Sequence, residues 1–328
     1  MFERLPEPKV SRVYYTPSGL VTVHEADCLS WLRDQPDNSF HAVVTDPPYG
    51  MIEYTPTQIK KLRSGRGGVW RIPPSIGGHK RAPVPRFTVL ADRDLATMYE
   101  FFHQWATALY PKLVPGAHVF VATSPLFSHV VSQALVNARF EKRGEIVRLT
   151  RTLRGGDRPK NAEDEFPGVT VMPRSAWEPW IAVRKPCEGT VANNLRRWKT
   201  GGLRRPDGPP GLPDGPFVDV IESRPTRPEE RRLAPHPSLK PQAFLRQIVR
   251  AALPLGEGVV LDTFSGSGST LAACEALGYR GIGVELDPHY VTMSMTAIPR
   301  LALLPGAAPA PPAAWVTART PGTAAAQL

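Results

Sequence analysis

Long apolar runs are missing from this sequence. No stretch approaches the roughly 20 residues that a membrane-spanning helix needs, and mean hydropathy is −0.23. The opening segment Met1-Phe2-Glu3-Arg4-Leu5-Pro6 has no apolar core behind a basic start, so no secretory signal is expected there. Cysteine is scarce: Cys28, Cys187 and Cys274 are scattered with no CxxC pairing, which excludes a disulfide scaffold and fits reduced thiols in a cytoplasm. The eight histidines show no paired ligand spacing, so no metal site is expected. Acidic residues are in the minority, 30 against 40 Lys and Arg, and the net charge of +10 points to a polyanionic partner such as nucleic acid. A chain of 328 residues can bury a full α/β core, as one large domain with insertions.

What is present begins with Asp46-Pro47-Pro48-Tyr49. The apolar run Ala42-Val43-Val44-Thr45 ahead of it reads as a buried parallel strand. Two consecutive prolines then drive the backbone out of the sheet, because each fixes φ and Pro48 biases Pro47 away from helical geometry. The result is a rigid shelf at the carboxyl edge of a strand, where α/β folds place ligands. It presents a carboxylate, carbonyl oxygens and an aromatic ring. That set suits methylation of the exocyclic amino group of a nucleobase. The amino lone pair is delocalised into the ring, so the nitrogen is a poor nucleophile until acceptors hold its hydrogens. A carboxylate and a carbonyl supply those acceptors, and a ring face can hold a base taken out of its stack.

The second informative stretch runs from Gly258 through Val259-Val260-Leu261-Asp262-Thr263-Phe264-Ser265-Gly266-Ser267-Gly268-Ser269-Thr270. An apolar strand delivers a Gly-rich turn, and a helix follows with Leu271, Cys274, Ala276 and Leu277 at its inner positions. Gly266 and Gly268 let backbone approach a ligand without a Cβ in the way. A further strand, Gly281-Ile282-Gly283-Val284-Glu285, ends in a carboxylate 17 residues beyond Gly268, near the spacing at which an acid binds ribose hydroxyls in Rossmann-type sites. The unit predicts an adenosine-containing cofactor. A dinucleotide fingerprint would want glycine where Leu271 stands, and a phosphate loop would want a lysine before the Ser/Thr; neither is there.

Together these stretches resemble the amino-group (N6-adenine/N4-cytosine) DNA methyltransferases, which use S-adenosyl-L-methionine. The order, catalytic shelf first and cofactor loop last, is that of the family's β group. The resemblance implies an α/β fold: a doubly wound, mostly parallel, seven-stranded Rossmann-like sheet, circularly permuted, with an inserted DNA-recognition region. It implies that Asp46 and the Pro47 carbonyl bind the target amino group, that Pro48 completes the shelf and that Tyr49 stacks on the flipped base. It further implies that Asp262, Phe264, Ser265, Gly266, Gly268 and Ser269 surround the cofactor, with Glu285 on its ribose. Asp27, at a turn after the strand Val21-Thr22-Val23-His24-Glu25, would approach the cofactor's adenine; as a plain alternative it caps a short helix. His236-Pro237-Ser238-Leu239-Lys240-Pro241 resembles the segment that closes the cofactor pocket, with Lys240 able to meet the cofactor carboxylate. Because only one helix follows Glu285, from Pro288 to about Leu301, the strand at 21–25 must complete that half of the sheet.

Four regions are expected. Residues 1–184 form the catalytic half, with helices over 92–109 and about 126–138, a strand at 117–122 and an edge strand at 175–183 that contains Pro179. They include a basic loop, 51–90, whose Lys60, Lys61, Arg63 and Arg66 are expected on DNA. Residues 185–235 are read as the target-recognition region, with Arg196, Arg197, Lys199, Arg204 and Arg205 on DNA. Residues 236–304 form the cofactor-binding half, and 305–328 a disordered tail. The expected partner is double-stranded DNA in the cytoplasm. A homodimer is compatible with the resemblance, and no restriction enzyme partner is legible.

The expected reaction is N6 methylation of adenine, since Asp rather than Ser at position 46 leans that way within the family; N4-cytosine methylation is the nearest alternative. Cytosine C5 methylation would need a nucleophilic cysteine, and Pro186-Cys187 lacks the Gly-rich setting for one. A non-catalytic DNA-binding protein, or an enzyme acting on RNA or on protein glutamine, completes the alternatives.

Overall fold

The computed structural model describes residues 12–48, 92–154, 175–206, 215–236 and 238–305, most of 159–173, and a two-stranded ribbon of β4 (Ser75–Ile76) and β5 (His79–Lys80). Tyr49, Lys60, Lys61, Arg63 and Arg66 lie outside the described residues, as do the rest of the 51–90 loop and the tail beyond Pro305.

Nine strands form one twisted sheet. In chain order they are β1 (Arg12–Tyr15), β2 (Val21–Glu25), β3 (Phe40–Thr45), β6 (Leu113–Ala122), β7 (Glu141–Arg154), β8 (Ser175–Arg184), β9 (Val220–Glu222), β10 (Val259–Asp262) and β11 (Arg280–Glu285). Their order across the sheet is β1-β2-β11-β10-β3-β6-β8-β7-β9. The expected seven strands are the middle of this array, and β1 and β9 extend it at either edge. From β2 to β6 all pairs are parallel, whereas β8 runs antiparallel to both its neighbours. As the short cofactor half requires, β2 pairs with β11, from Gly281 beside Val21 to Glu285 beside Glu25.

Helices cover both faces, so the central strands are apolar on both sides. The helices α1 (Cys28–Arg33), α2 (Asp92–Leu109) and α3 (Ser128–Asn137) pack on one face through Trp31, Leu32, Met98, Trp105, Val131 and Leu135. On the other face lie α6 (Gln242–Ala252), α7 (Ser269–Ala276) and α8 (Pro288–Leu303), which bury Phe244, Leu245, Ile248, Leu271, Cys274 and Ile298. Phe102 and Trp105 are core residues, as their helical spacing suggests. Ala276, expected on the inner side of α7, is exposed.

One expectation is corrected. The strand at 175–184 is interior, between β6 and β7, although it contains Pro179. The proline is accommodated because β6 ends there: Ala122 opposite Trp180 is the last pair, and the Pro179 carbonyl accepts the Thr123 N–H at 3.0 Å. The missing N–H therefore costs one ladder bond at a strand end. The 185–235 segment is packed on the sheet in part. Asn194 of α4 (Val191–Trp198) is buried and donates to the Pro115 and Thr200 carbonyls, while Gly201 packs so closely on Gly116 that a Cβ on Gly116 would collide with it. Further along, β9 joins the sheet, and Glu230 of α5 (Pro228–Leu233) accepts the backbone N–H groups of Arg227 and Gln242.

Candidate active site

Because β3 and β10 are adjacent parallel strands, with Ala42 beside Val260 and Val43 beside Leu261, the Asp46 shelf and the Gly-rich turn leave the sheet side by side on one edge. Thr45 ties them together: its hydroxyl donates to Asp262 Oδ1 at 2.6 Å in a fully buried contact. Asp262 also accepts the Phe264 N–H at 3.1 Å. Burial pushes the Asp262 carboxyl up to about 6 against the lowering effect of these hydrogen bonds. It is a strut between the two halves of the site, held by donors in place of water.

The Asp46 carboxylate has two different sides. Oδ2 accepts from Lys240 Nζ at 2.6 Å and from Ser238 Oγ at 3.1 Å, both in the segment leading into α6. Oδ1 is buried and has no hydrogen-bond partner among the described residues. Pro47 is buried beneath it and Pro48 is exposed. A buried carboxylate oxygen without a donor is costly, and a ligand amino group would satisfy it. Lys240, considered above for the cofactor carboxylate, is thus placed on Asp46, with Glu178 Oε2 3.5 Å from the same ammonium.

The turn after β10 is shaped by glycine for two reasons. Gly266 has φ +51, its N–H donates to Glu285 Oε2 at 2.7 Å, and a Cβ there would come within 3.2 Å of His236 Nε2. Gly268 has φ +84, and a Cβ there would drive into Ile298 of α8, so this glycine serves helix packing. The Ser265 and Ser267 hydroxyls are buried without partners among the described residues. Phe264 is half-buried, its ring 6.0 Å from that of Trp105. Ser269 opens α7, its carbonyl accepting from Gln242 Nε2. Glu285 accepts the Gly266 and Asp287 N–H groups, and burial raises its carboxyl above the ordinary range despite them. Asp27 caps α1, accepting the Ser30 N–H at 2.9 Å, and stands next to Glu285 because the Ala26 N–H donates to the Glu285 carbonyl. The neighbourhood gains His236, whose ring lies 4.5 Å from that of Tyr290; burial lowers its pKa, Asp46 opposing and Lys240 reinforcing that effect.

The five basic residues of 185–235 do not join this group. Arg184 is level with His118, which is level with Ala42 at the amino end of β3. Arg196, Arg197 and Lys199 lie in and just after α4, which packs on the start of β6 where Asn194 donates to the Pro115 carbonyl, toward the amino edge of the sheet, whereas Asp46 leaves its carboxyl edge. Their contacts are internal: Arg197 pairs with Glu188 at 2.9 Å, Arg196 donates to Asn193, and Lys199 ends α4 in the left-handed conformation. Arg204 donates to the Tyr279 hydroxyl and to the Ala251 carbonyl, and the Arg205 carbonyl accepts from Arg250. Cys187 lies at the same far edge, beside Gly201, and burial raises its thiol pKa, the wrong direction for a nucleophile. Sequence reasoning missed Glu178; a carboxylate in the apolar run Trp177-Glu178-Pro179-Trp180-Ile181 was its one signal.

An α/β sheet that sets an acid-proline shelf beside a Gly-rich ligand turn defines a nucleotide-handling transferase class, and comparison with known proteins says which. Residues 40–296 match the N6/N4 DNA methylase family model, and the chain belongs to that family. The family's methyl donor is S-adenosyl-L-methionine. A curated relative, the Type II methyltransferase M.HindIII of Haemophilus influenzae, is 24% identical over 298 residues, 80% of this chain and 90% of its own. A DNA adenine methyltransferase of Escherichia coli, YhdJ, is 40% identical over 60 residues, 18% of this chain and 20% of its own. Among solved structures, a chain from Thermus thermophilus described as a DNA modification methylase, complexed with S-adenosyl-L-methionine, shares the fold at TM-score 0.50 and 19% identity. That match covers 86% of this chain and 94% of the other. The PvuII DNA methyltransferase, cytosine-N4-specific, matches at TM-score 0.55 and 13% identity, over 88% of this chain and 93% of its own. The donor set fits the family's cofactor: serine hydroxyls that are unpaired among the described residues, a carboxylate at a strand end and a backbone turn kept open by Gly266. Among the described residues no helix is long and apolar enough to cross a membrane.

Proposed function

We propose that this chain transfers the methyl group of S-adenosyl-L-methionine to the N6 amino group of adenine in double-stranded DNA, acting on a base flipped out of the helix. The observation that carries the reading is Asp46 Oδ1, unpartnered among the described residues and one strand away from the Gly-rich turn. The cofactor supplies an electrophilic methyl group. Asp46 Oδ1 and the Pro47 carbonyl would accept the two amino hydrogens, leaving the nitrogen lone pair free for that methyl; the donor would be left as a neutral thioether as its S–C bond breaks, and the methylated nitrogen would give up one proton to solvent. Tyr49 is assigned the stacking surface for the extruded base. Asp27, Phe264, Ser265, Gly266 and Glu285 are assigned to the cofactor, with Asp262, Gly268 and Ser269 shaping the turn. The 51–90 loop, through Lys60, Lys61, Arg63 and Arg66, is assigned to the DNA, since it leaves directly from the shelf.

Adenine is preferred on the Asp at position 46 and on the 60-residue likeness to an adenine enzyme. The same two acceptors would serve the N4 amino group of cytosine, and the likeness in fold to a cytosine-N4 enzyme keeps that second reading in play. Mass spectrometry of nucleosides from DNA incubated with the chain and the cofactor decides between them. N6-methyladenine is expected, and N4-methylcytosine alone would overturn the choice of base.

A further inference from the structure

We infer that Glu178 is a positioning residue that acts through Lys240 to hold Asp46 in its working orientation. The inference rests on the reading of Asp46 as an acceptor for the target amino group. Four charges of alternating sign run from inside the sheet to the shelf. Arg148 of β7 is directly opposite Glu178 of β8 in the strand register, and its Nη1 donates to the Glu178 carboxylate at 3.3 and 3.4 Å. Glu178 Oε1 also accepts the Trp180 indole N–H at 2.9 Å, and Arg148 Nε donates to Ser223 Oγ at 3.0 Å. Glu178 Oε2 faces the Lys240 ammonium at 3.5 Å, which in turn bonds Asp46 Oδ2 at 2.6 Å. Arg148, Glu178 and Lys240 are all buried, at 5%, 4% and 6% exposure.

A lysine ammonium sits on a flexible four-carbon stem, so only its partners locate it. Asp46, at the start of an irregular segment, cannot by itself locate Lys240. Glu178 can, because two strands, an indole and a guanidinium fix its carboxylate. The position is handed from the sheet to Glu178, from Glu178 to Lys240, and from Lys240 to one oxygen of Asp46. The other oxygen, Oδ1, is thereby turned toward the place where an amino group would bind. Burying three charges beside a partly buried fourth for stability alone would be a poor arrangement, since apolar side chains of similar volume commonly serve as well. Holding a reactive carboxylate to within a fraction of an ångström is a task that such a chain performs and an apolar cluster does not.

The test compares the wild-type full-length chain with Glu178→Gln, Lys240→Met and the double variant. Methyl transfer to mixed-sequence DNA is measured at saturating cofactor, and cofactor binding by calorimetry. Glu178→Gln should lower kcat by about 10- to 100-fold, the cost of a slightly misplaced reacting group, with KM for DNA and cofactor affinity almost unchanged. If Glu178 works through Lys240, the double variant loses no more than Lys240→Met alone. Multiplicative losses, or a wild-type kcat in Glu178→Gln, overturn the inference. So does a Lys240→Met variant that binds cofactor poorly yet turns over normally once saturated, because Lys240 would then serve the cofactor. Should Glu178→Gln fail to fold, Arg148→Met/Glu178→Gln removes the stranded cation. A low kcat at wild-type thermal stability supports positioning, and a full recovery of kcat reduces Glu178 to a counter-charge for Arg148. A wild-type chain that binds cofactor but methylates no DNA sinks the proposed function, an outcome distinct from an active wild type with an equally active Glu178→Gln.

Discussion

The two oxygens of Asp46 differ, one held by Lys240 and Ser238 and one without a hydrogen-bond partner among the described residues. Asp46→Ala should therefore reduce turnover at least about 100-fold, the scale of removing one preorganised hydrogen-bond partner, while calorimetry finds cofactor affinity intact. Tyr49→Ala should likewise abolish turnover without loss of cofactor binding. Asp262 makes a different prediction. Its folded-state pKa of about 6 lies above the ordinary carboxyl value of 3.8, so the stabilisation of its neutral form is complete below about pH 3.8 and lost as pH rises through 6. Asp262→Asn has no such loss. In urea denaturation the variant should gain stability relative to wild type as pH rises from about 3.8 to about 6. A constant difference across that window would show that Asp262 titrates normally.

At the level of elements, the turn after β10 concentrates the constraints. Gly268→Ala places a Cβ against Ile298 at a positive φ, and should cost about 1–3 kcal/mol in chemical denaturation. Gly266→Ala should cost less stability and more cofactor affinity, since its Cβ meets only the edge of His236. These elements were legible in the sequence because apolar runs followed by Gly or Pro announce buried strands, and β2, β3, β10 and β11 lie where those runs put them. Less legible was β7, whose alternating inward positions are Ile146, Arg148 and Thr150, so its buried face does not read as apolar. The interior place of β8 was hidden by Pro179, whose tolerance depends on where a different strand stops. Glu178 and Lys240 are far apart in sequence, and the contact between them exists only once the sheet and α6 are assembled. Residues that touch across such distances leave no spacing to read.

At the scale of the whole molecule, the basic side chains described over 185–206 are not gathered at the site. Arg196, Arg197 and Lys199 belong to the segment that packs on the start of β6 through Asn194, toward the sheet edge opposite the one that carries Asp46, and Arg196 and Arg197 are engaged within that segment. The triple variant Arg196→Ala/Arg197→Ala/Lys199→Ala should accordingly leave DNA affinity and its salt dependence nearly unchanged. A fall of about three in the slope of log affinity against log salt would instead place all three on phosphates. The pairing of β2 with β11 carries a last consequence, for the order in which the molecule can be made. The strand at 21–25 is synthesised early, yet its neighbour arrives only with residues 280–285, and the shelf at Asp46 likewise waits for β10. A chain still emerging from the ribosome thus carries its acceptor groups long before it has anywhere to bind a methyl donor. Contacts of such long sequence separation must close large loops, so the nascent polypeptide cannot bring the shelf and the Gly-rich turn together until residues 259–285 have been translated.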